Sequence, residues 1–212
     1  QLREIPKLIF EKNLFGLDID KRAAQLTIFA LMMKGRADDR RLFDRRVKLN
    51  VMALQNSTDC NIRALAEQIN LSDYSLSLND LTELKSLFEY STTLGSLIKL
   101  PDALVEKLPA LKQLNLHPSQ QLFVAEELKN LWVLVQQSEL LSAKYDAVVA
   151  NPPYIGGKFH TPFLKKFLKN NYEDYKKDVF SAFIDRNLAF TLPNGRLGFM
   201  SPFVWMFISS YE

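Results

Sequence analysis

The sequence predicts an α/β fold, an open parallel sheet wrapped by helices with a long helical insertion between two of its strands. Three observations carry this. Leu14-Phe15-Gly16-Leu17-Asp18-Ile19-Asp20 is a short apolar run that ends in acids and leads directly into a helical pattern. Tyr145-Asp146-Ala147-Val148-Val149-Ala150 is a second short apolar run closed by a turn, the pattern of a buried parallel strand. Between the two, from about 61 to 142, apolar residues recur at three- and four-residue spacing. Strand, helix and strand with apolar strands argue for a parallel sheet covered by helices.

Each element follows in order. Residues 14–20 read as a buried strand, and Asp20 is placed to cap the next helix by accepting from its free N–H groups. That helix, about 21–34, is apolar on most of its face (Ala23, Ala24, Leu26, Ile28, Phe29, Ala30, Leu31, Met32 and Met33), so it is expected to be buried on more than one side. Gly35 is the expected stop. Leu49-Asn50-Val51-Met52-Ala53-Leu54 is a candidate strand. In the helical stretch, Leu81, Leu84, Leu87 and Phe88 form one apolar set, and Val124, Leu128, Leu131 and Val135 another. Pro101, Pro109 and Pro118 are expected to mark helix boundaries. After Ala150, Asn151-Pro152-Pro153-Tyr154-Ile155-Gly156-Gly157 leaves the strand as a loop. A helix is predicted over 178–192, then a turn at Pro193-Asn194-Gly195 and a strand over 196–200. The expected organisation is therefore 1–60 and 143–212 as two parts of one core, with 61–142 inserted between them.

Composition excludes several classes. Of the 212 residues, 47% are hydrophobic and 24% charged, the balance of an ordinary globular protein. No apolar run approaches the roughly 18 residues of a membrane helix, and because the chain opens on Gln1-Leu2-Arg3-Glu4 no secretory leader is expected. Cys60 is the single cysteine, which rules out an internal disulfide, fits a cytoplasmic setting and reads as a small buried hydrophobe. With His117 and His160 far apart, no zinc site is expected. His160 reads as a surface residue without chemistry. The net charge of +3 is compatible with a polyanionic partner without demanding one. One basic stretch runs from Lys34 to Lys48 and reads as a solvated face; a second, Lys165, Lys166, Lys169, Lys176 and Lys177, follows the Asn-Pro-Pro-Tyr segment, where phosphate contacts would be useful.

The tetrapeptide Asn151-Pro152-Pro153-Tyr154 is the strongest chemical signal. As plain structure it would be a turn, but a turn requires neither a buried strand before it nor an aromatic after it. In open parallel sheets the ligand crevice lies at the carboxyl ends of the strands, where Asp18 and Asn151 both fall. The exocyclic nitrogen of adenine is a poor nucleophile because its lone pair is delocalised into the ring. Two acceptors bonding its hydrogens would free that lone pair, and the Asn151 side-chain carbonyl and the Pro152 backbone carbonyl can supply them. The prolines hold the loop rigid without a competing N–H. Tyr154 offers a face for a base extruded from the duplex. No metal or covalent enzyme intermediate is needed for a methyl group to move from a sulfonium by in-line displacement.

With these residues in place, residues 145–154 resemble the catalytic motif of the amino-methyltransferases. Residues 14–20 resemble the strand in that family whose acid binds the ribose hydroxyls of S-adenosylmethionine. The resemblance assigns that role to Asp18, places Ile19 against the adenine ring of the cofactor, and makes Phe183, within Asp178-Val179-Phe180-Ser181-Ala182-Phe183, the aromatic lining the cofactor pocket. Residues 195–202 are similar to the strand after it, ending in Ser201-Pro202-Phe203. Order and spacing are most similar to the adenine-specific DNA methyltransferases of BREX phage-defence systems, the PglX type, and to related fused restriction–modification enzymes. The resemblance implies a partial Rossmann-like methyltransferase fold, S-adenosylmethionine as cofactor, double-stranded DNA as substrate and other defence proteins as partners. The glycine loop that cradles the cofactor's methionine, the central strand before it and the target-recognition domain have no counterpart in this sequence, and Gly95-Ser96-Leu97-Ile98 lacks the acid of a further motif.

Other readings stay open from sequence. The same motif serves enzymes that methylate a glutamine of release factors, RNA adenine or, usually with Ser in place of Asn, DNA cytosine. A non-catalytic module that binds DNA or protein would keep the fold without the reaction, and a nicotinamide-dependent dehydrogenase shares only the acidic strand end. The chain by itself is expected to be nearly inactive, and poorly soluble or self-associating because apolar sheet edges are open. Sizing and methyl-transfer assays of the isolated chain test this; a monomer turning over DNA would contradict it.

Overall fold

In a computed structural model, residues 4–118 and 121–201 are described. The chain divides into two compact units, Gln1–Leu140 and Leu141–Glu212. The first contains α1 (Ile5–Lys12), β1 (Phe15–Asp18), α2 (Lys21–Asp38), β2 (Asn50–Ala53), α3 (Ile62–Gln68), α4 (Leu78–Leu87), the short α5 (Ser91–Leu94), α6 (Asp102–Asn115) and most of α7 (Leu122–Ser142). The second contains β3 (Tyr145–Ala150), α8 (Pro162–Asn171), α9 (Val179–Phe190) and β4 (Thr191–Phe199). The α/β character is as the sequence predicts.

In the first unit β1 and β2 pair in parallel, Phe15 opposite Asn50 and Asp18 opposite Ala53. The Leu54 N–H donates to the Asp18 carbonyl at 2.8 Å and extends the pairing by one residue. The candidate strand at 49–54 is thus real, but β1 is not the buried strand expected: none of its residues is buried, and Phe15 is exposed. Asp20 caps α2 as predicted, accepting the Arg22 N–H at 2.7 Å and the Ala23 N–H at 3.4 Å.

Two expectations for α2 fail together. Along one stripe of this helix, at helical spacing, Ala24 and Gly35 are buried and Ile28 and Leu31 half-buried, while Leu26 and Phe29 are 68% and 63% exposed. Its many apolar residues are therefore not covered on more than one side among the described residues. Nor does Gly35 stop the helix, which runs on to Asp38. A Cβ on Gly35 would lie 2.4 Å from the Phe10 ring and 2.7 Å from Leu42, both buried, so this glycine is there for close packing.

The helical stretch packs around a core of Leu65, Leu81, Leu84, Phe88, Leu111 and Leu131. Pro101 and Pro118 flank α6 as expected, but Pro109 lies inside it. An internal proline costs about 3 kcal/mol. Burial of Leu104, Leu108, Leu111 and Leu114 on one stripe of the same helix contributes roughly 1.5–3 kcal/mol each and outweighs it. Pro109 itself is exposed, where its missing N–H strands no buried partner. Gly95-Ser96-Leu97-Ile98 is a buried 3₁₀ turn against β1.

Polar side chains tie the chain leaving β2 into these helices. The buried Gln137 amide brackets the Gln55 peptide, accepting its N–H at 2.5 Å and donating to its carbonyl at 3.2 Å. Glu127 accepts the Asn61 N–H at 2.6 Å, and Ser91 donates to the Gln55 carbonyl at 2.6 Å. Lys85 donates to the Cys60 carbonyl at 2.6 Å. Cys60 is buried, as read from sequence.

In the second unit β3 and β4 pair in parallel and α9 packs against both. The predicted helix and both strands are present, and Asp178 precedes α9 at its cap position. The predicted turn lies within β4 as a bulge: β3 advances from Tyr145 to Ala147 while β4 advances from Thr191 to Arg196. Asn194 sits at a left-handed φ of 68°, which asparagine tolerates. A Cβ on Gly195 would meet the Asp146 and Leu192 carbonyl oxygens at 2.8 and 2.9 Å. The burial expected of β3 is not met, since Val149 is 86% exposed. A parallel strand is buried only when both faces and both edges are covered, and here β3 has a single partner strand among the described residues. The sequence reading of 202 onward, including Pro202-Phe203, lies outside the described residues.

Two predictions follow from this packing. Replacing Gly195 by Ala forces backbone oxygens apart and should cost about 1–3 kcal/mol, read as a lower urea midpoint; an unchanged midpoint would contradict the crowding. Burial, with help from Glu127, pushes the Cys60 thiol from 9.0 up to about 11, and burial pushes Tyr145 from 10.0 up to about 12. The folded chain thus favours the neutral forms: their stabilisation is full below pH 9.0 and is lost as pH rises through about 11 to 12. Urea midpoints should fall between these limits, and Cys60 should resist alkylation at pH 8 until the chain is unfolded.

Candidate functional site

Two strand ends carry the residues singled out by sequence, one in each unit. At the end of β1, the Asp18 carboxylate accepts the Asp20 N–H through Oδ1 at 2.8 Å, and Oδ2 makes no hydrogen bond among the described residues. This local bond holds the carboxylate at the mouth of the strand, just before α2 begins. Ile19 beside it is 52% exposed. An open carboxylate oxygen, able to accept from hydroxyls, next to an exposed apolar side chain suits a hydroxyl-bearing, partly apolar ligand.

At the end of β3 the chain turns out through Asn151. The Met200 N–H donates to the Ala150 carbonyl at 3.1 Å, so the ladder runs to the last residue before the loop. Asn151 is exposed, and its side chain makes no hydrogen bond among the described residues. Pro152 is buried and Pro153 exposed. Tyr154 is 54% exposed, and its hydroxyl is also without a partner among the described residues. A buried proline thus anchors the loop, while the amide and the phenol ring remain available to a ligand.

The loop then closes on itself and on α9. Gly156 and Asp178 form an antiparallel bridge, and the Val179 N–H donates to the Ile155 carbonyl at 3.4 Å. The His160 Nε2–H donates to the same carbonyl at 2.9 Å. His160 is 6% exposed, not the surface residue expected. Thr161-Pro162 caps and opens α8, with Thr161 accepting the Leu164 N–H at 3.2 Å, and His160 stands just before that cap, where nothing in the local sequence marks a histidine as buried. Phe183, one turn into α9, is half-buried in the same unit as Asn151 and Tyr154.

Charge is distributed unevenly. Lys165, Lys166, Lys169, Lys176 and Lys177 are exposed on and after α8, whose Leu168 is buried. The earlier basic stretch is spent partly on structure: Arg45 Nε pairs with the buried Asp39 carboxylate at 2.5 Å, and Arg36 lies over the Phe43 ring at 5.6 Å. Arg186 of α9 is buried, donates to the Leu141 carbonyl at 2.7 Å and stacks on Phe190 at 3.9 Å; burial lowers its pKa. Among the described residues no group of His, Cys, Asp and Glu is arranged to hold a metal ion, and no helix is long and apolar enough to cross a membrane.

An exposed amide on a proline-stiffened loop at one parallel strand end, with an open carboxylate at another, marks an α/β protein with ligand groups at its strand ends. The chain belongs to the Eco57I restriction-modification methylase family, whose model matches residues 12–212. It is 39% identical over 233 aligned residues to the adenine-specific methyltransferase BrxX of Escherichia coli O9:H4 (strain HS), covering 99% of this chain and 19% of that protein. It is 33% identical over 225 aligned residues to the adenine-specific methyltransferase PglX of Lacticaseibacillus casei (strain Zhang), covering 99% of this chain and 18% of that protein. The chain thus spans about a fifth of the length of these relatives.

Proposed function

We propose that this chain is the catalytic segment of an S-adenosylmethionine-dependent methyltransferase that modifies the exocyclic amino group of adenine in double-stranded DNA, as part of phage defence. The observation that carries the reading is the similarity, over 99% of the chain, to two adenine-specific methyltransferases, together with the exposed Asn151 at the end of β3. In this reading the fold is a partial Rossmann-like methyltransferase core, with residues 1–60 and 143–212 as core and 61–142 as insertion. Double-stranded DNA is the substrate, and other defence-system proteins are partners.

The roles of the residues follow from their chemistry. Asp18 would hold the ribose hydroxyls of the cofactor through its open oxygen, with Ile19 against the adenine moiety, and Phe183 is the aromatic proposed to line the cofactor pocket. When bound, the cofactor supplies an electrophilic methyl group on a sulfonium. Asn151 Oδ1 and the Pro152 carbonyl accept the two hydrogens of the target amino group and draw its lone pair out of the ring. Buried Pro152 keeps that second acceptor fixed, so little reorganisation is needed as charge develops. Tyr154, with its ring half open to solvent, stacks on the base taken out of the duplex. The lysines of α8 and the turn after it meet phosphates beside the target.

Nucleoside mass spectrometry of DNA treated with the parent-length enzyme tests the proposal. Methyladenine should form, and Asn151→Ala should lower its rate by roughly a hundredfold or more, as for loss of a preorganised polar group. Asp18→Ala should instead weaken cofactor binding more than it slows the bound complex. Methylation of protein, RNA or cytosine with DNA adenine untouched would overturn the substrate assignment.

A further inference from the structure

We propose that His160 is a positioning residue for the loop that carries Asn151 to Tyr154, acting through the Ile155 carbonyl; this rests on the reading of that loop as the adenine site. Most of the loop faces solvent: Asn151, Pro153, Tyr154, Ile155, Lys158 and Phe159 are all exposed. Among the loop residues whose burial is described, Pro152 and His160 are the buried ones, Pro152 within the span that would meet the base and His160 beyond it.

The Ile155 carbonyl belongs to the peptide that joins Ile155 to Gly156, one residue beyond Tyr154, so whatever fixes it anchors the chain immediately after the tyrosine. Both lone pairs of that carbonyl are engaged, one by the Val179 N–H at 3.4 Å and one by the His160 imidazole at 2.9 Å. The shorter bond is the imidazole's. The bond requires the proton on Nε2, since a carbonyl only accepts. His160 is itself held from both sides. Before it, the Phe159 N–H donates to the Gly156 carbonyl at 2.9 Å and closes a 3₁₀ turn. After it, the Thr161 cap and Pro162 start α8. The imidazole therefore connects the start of α8 to the loop, while the Gly156 bridge to Asp178 connects the loop to α9. Removing the donor would leave a buried imidazole-sized space and a carbonyl held only by its longer bond.

The test uses the parent-length enzyme with His160→Phe and His160→Gln. Phenylalanine keeps the ring and its burial but cannot donate. Glutamine loses the ring but carries an amide N–H at about the reach of imidazole Nε2. Hydrogen exchange of peptides covering 154–160 reads the loop, and single-turnover methylation with separate cofactor binding reads its role. His160→Phe should exchange faster in the loop and slow the methyl-transfer step by roughly 10- to 100-fold, with cofactor affinity little changed, while His160→Gln should stay close to the wild type in both. Loop exchange in His160→Phe equal to wild type, or wild-type turnover despite faster exchange, would overturn the proposal. So would His160→Gln falling as far as His160→Phe, because ring packing would then be the cause. Should His160→Phe fail to fold, His160→Gln decides alone, by its retained or lost turnover. A wild-type enzyme that methylates no adenine would count against the functional reading, and the exchange comparison would still decide whether His160 holds the loop.

Discussion

Both strand ends that hold the candidate site residues depend on one constraint, that backbone groups leaving a parallel strand must find partners outside the ladder. At the end of β1 the Asp18 carbonyl is taken by the Leu54 N–H and its carboxylate by the Asp20 N–H. At the end of β3 the Ala150 carbonyl is taken by the Met200 N–H, and four residues past Asn151 the Ile155 carbonyl finds both Val179 and His160. These bonds leave the candidate site side chains free: Asn151 and one oxygen of Asp18 have no partner among the described residues. Satisfying the main chain with local partners is what makes it possible to present unpaired side chains at the strand ends.

The same accounting explains why the long helical stretch matters to the strands. After β2 the chain has no third strand to pair with among the described residues of its unit. Gln137 supplies an amide in place of a strand, engaging both the N–H and the carbonyl of Gln55, and Glu127, Ser91 and Lys85 take up neighbouring backbone groups. These are buried or half-buried side chains, for which an unmet hydrogen bond would cost about 1–3 kcal/mol. The helical stretch is therefore bonded into the segment that follows the β1–β2 sheet, in addition to its own leucine core.

Much of the site was legible because its chemistry is written in local sequence. Asp20 as a cap, Asn151 after an apolar run and Asp178 before α9 each depend on residues within a few positions, and each stands where the pattern puts it. His160 was not legible, because its partner is a backbone carbonyl five residues away, and a carbonyl belongs to every residue and marks none. Gly35 and Pro109 misled for a related reason. Each obeys its local preference only when nothing stronger opposes it, and in both cases apolar packing does.

The sequence by itself determined the strands, the helix after β1 and the helix before β4, the parallel character of the strands and the identity of the polar residues at their ends. These follow from short-range spacing and from turn and cap chemistry, whereas α1 and α8 were not legible in it. Tertiary structure alone decided burial. Leu26, Phe29 and Val149 are apolar and exposed, whereas His160 and Gln137 are polar and buried. Burial depends on which surfaces meet, and an apolar side chain records only its tendency to be covered, not whether a covering surface is present.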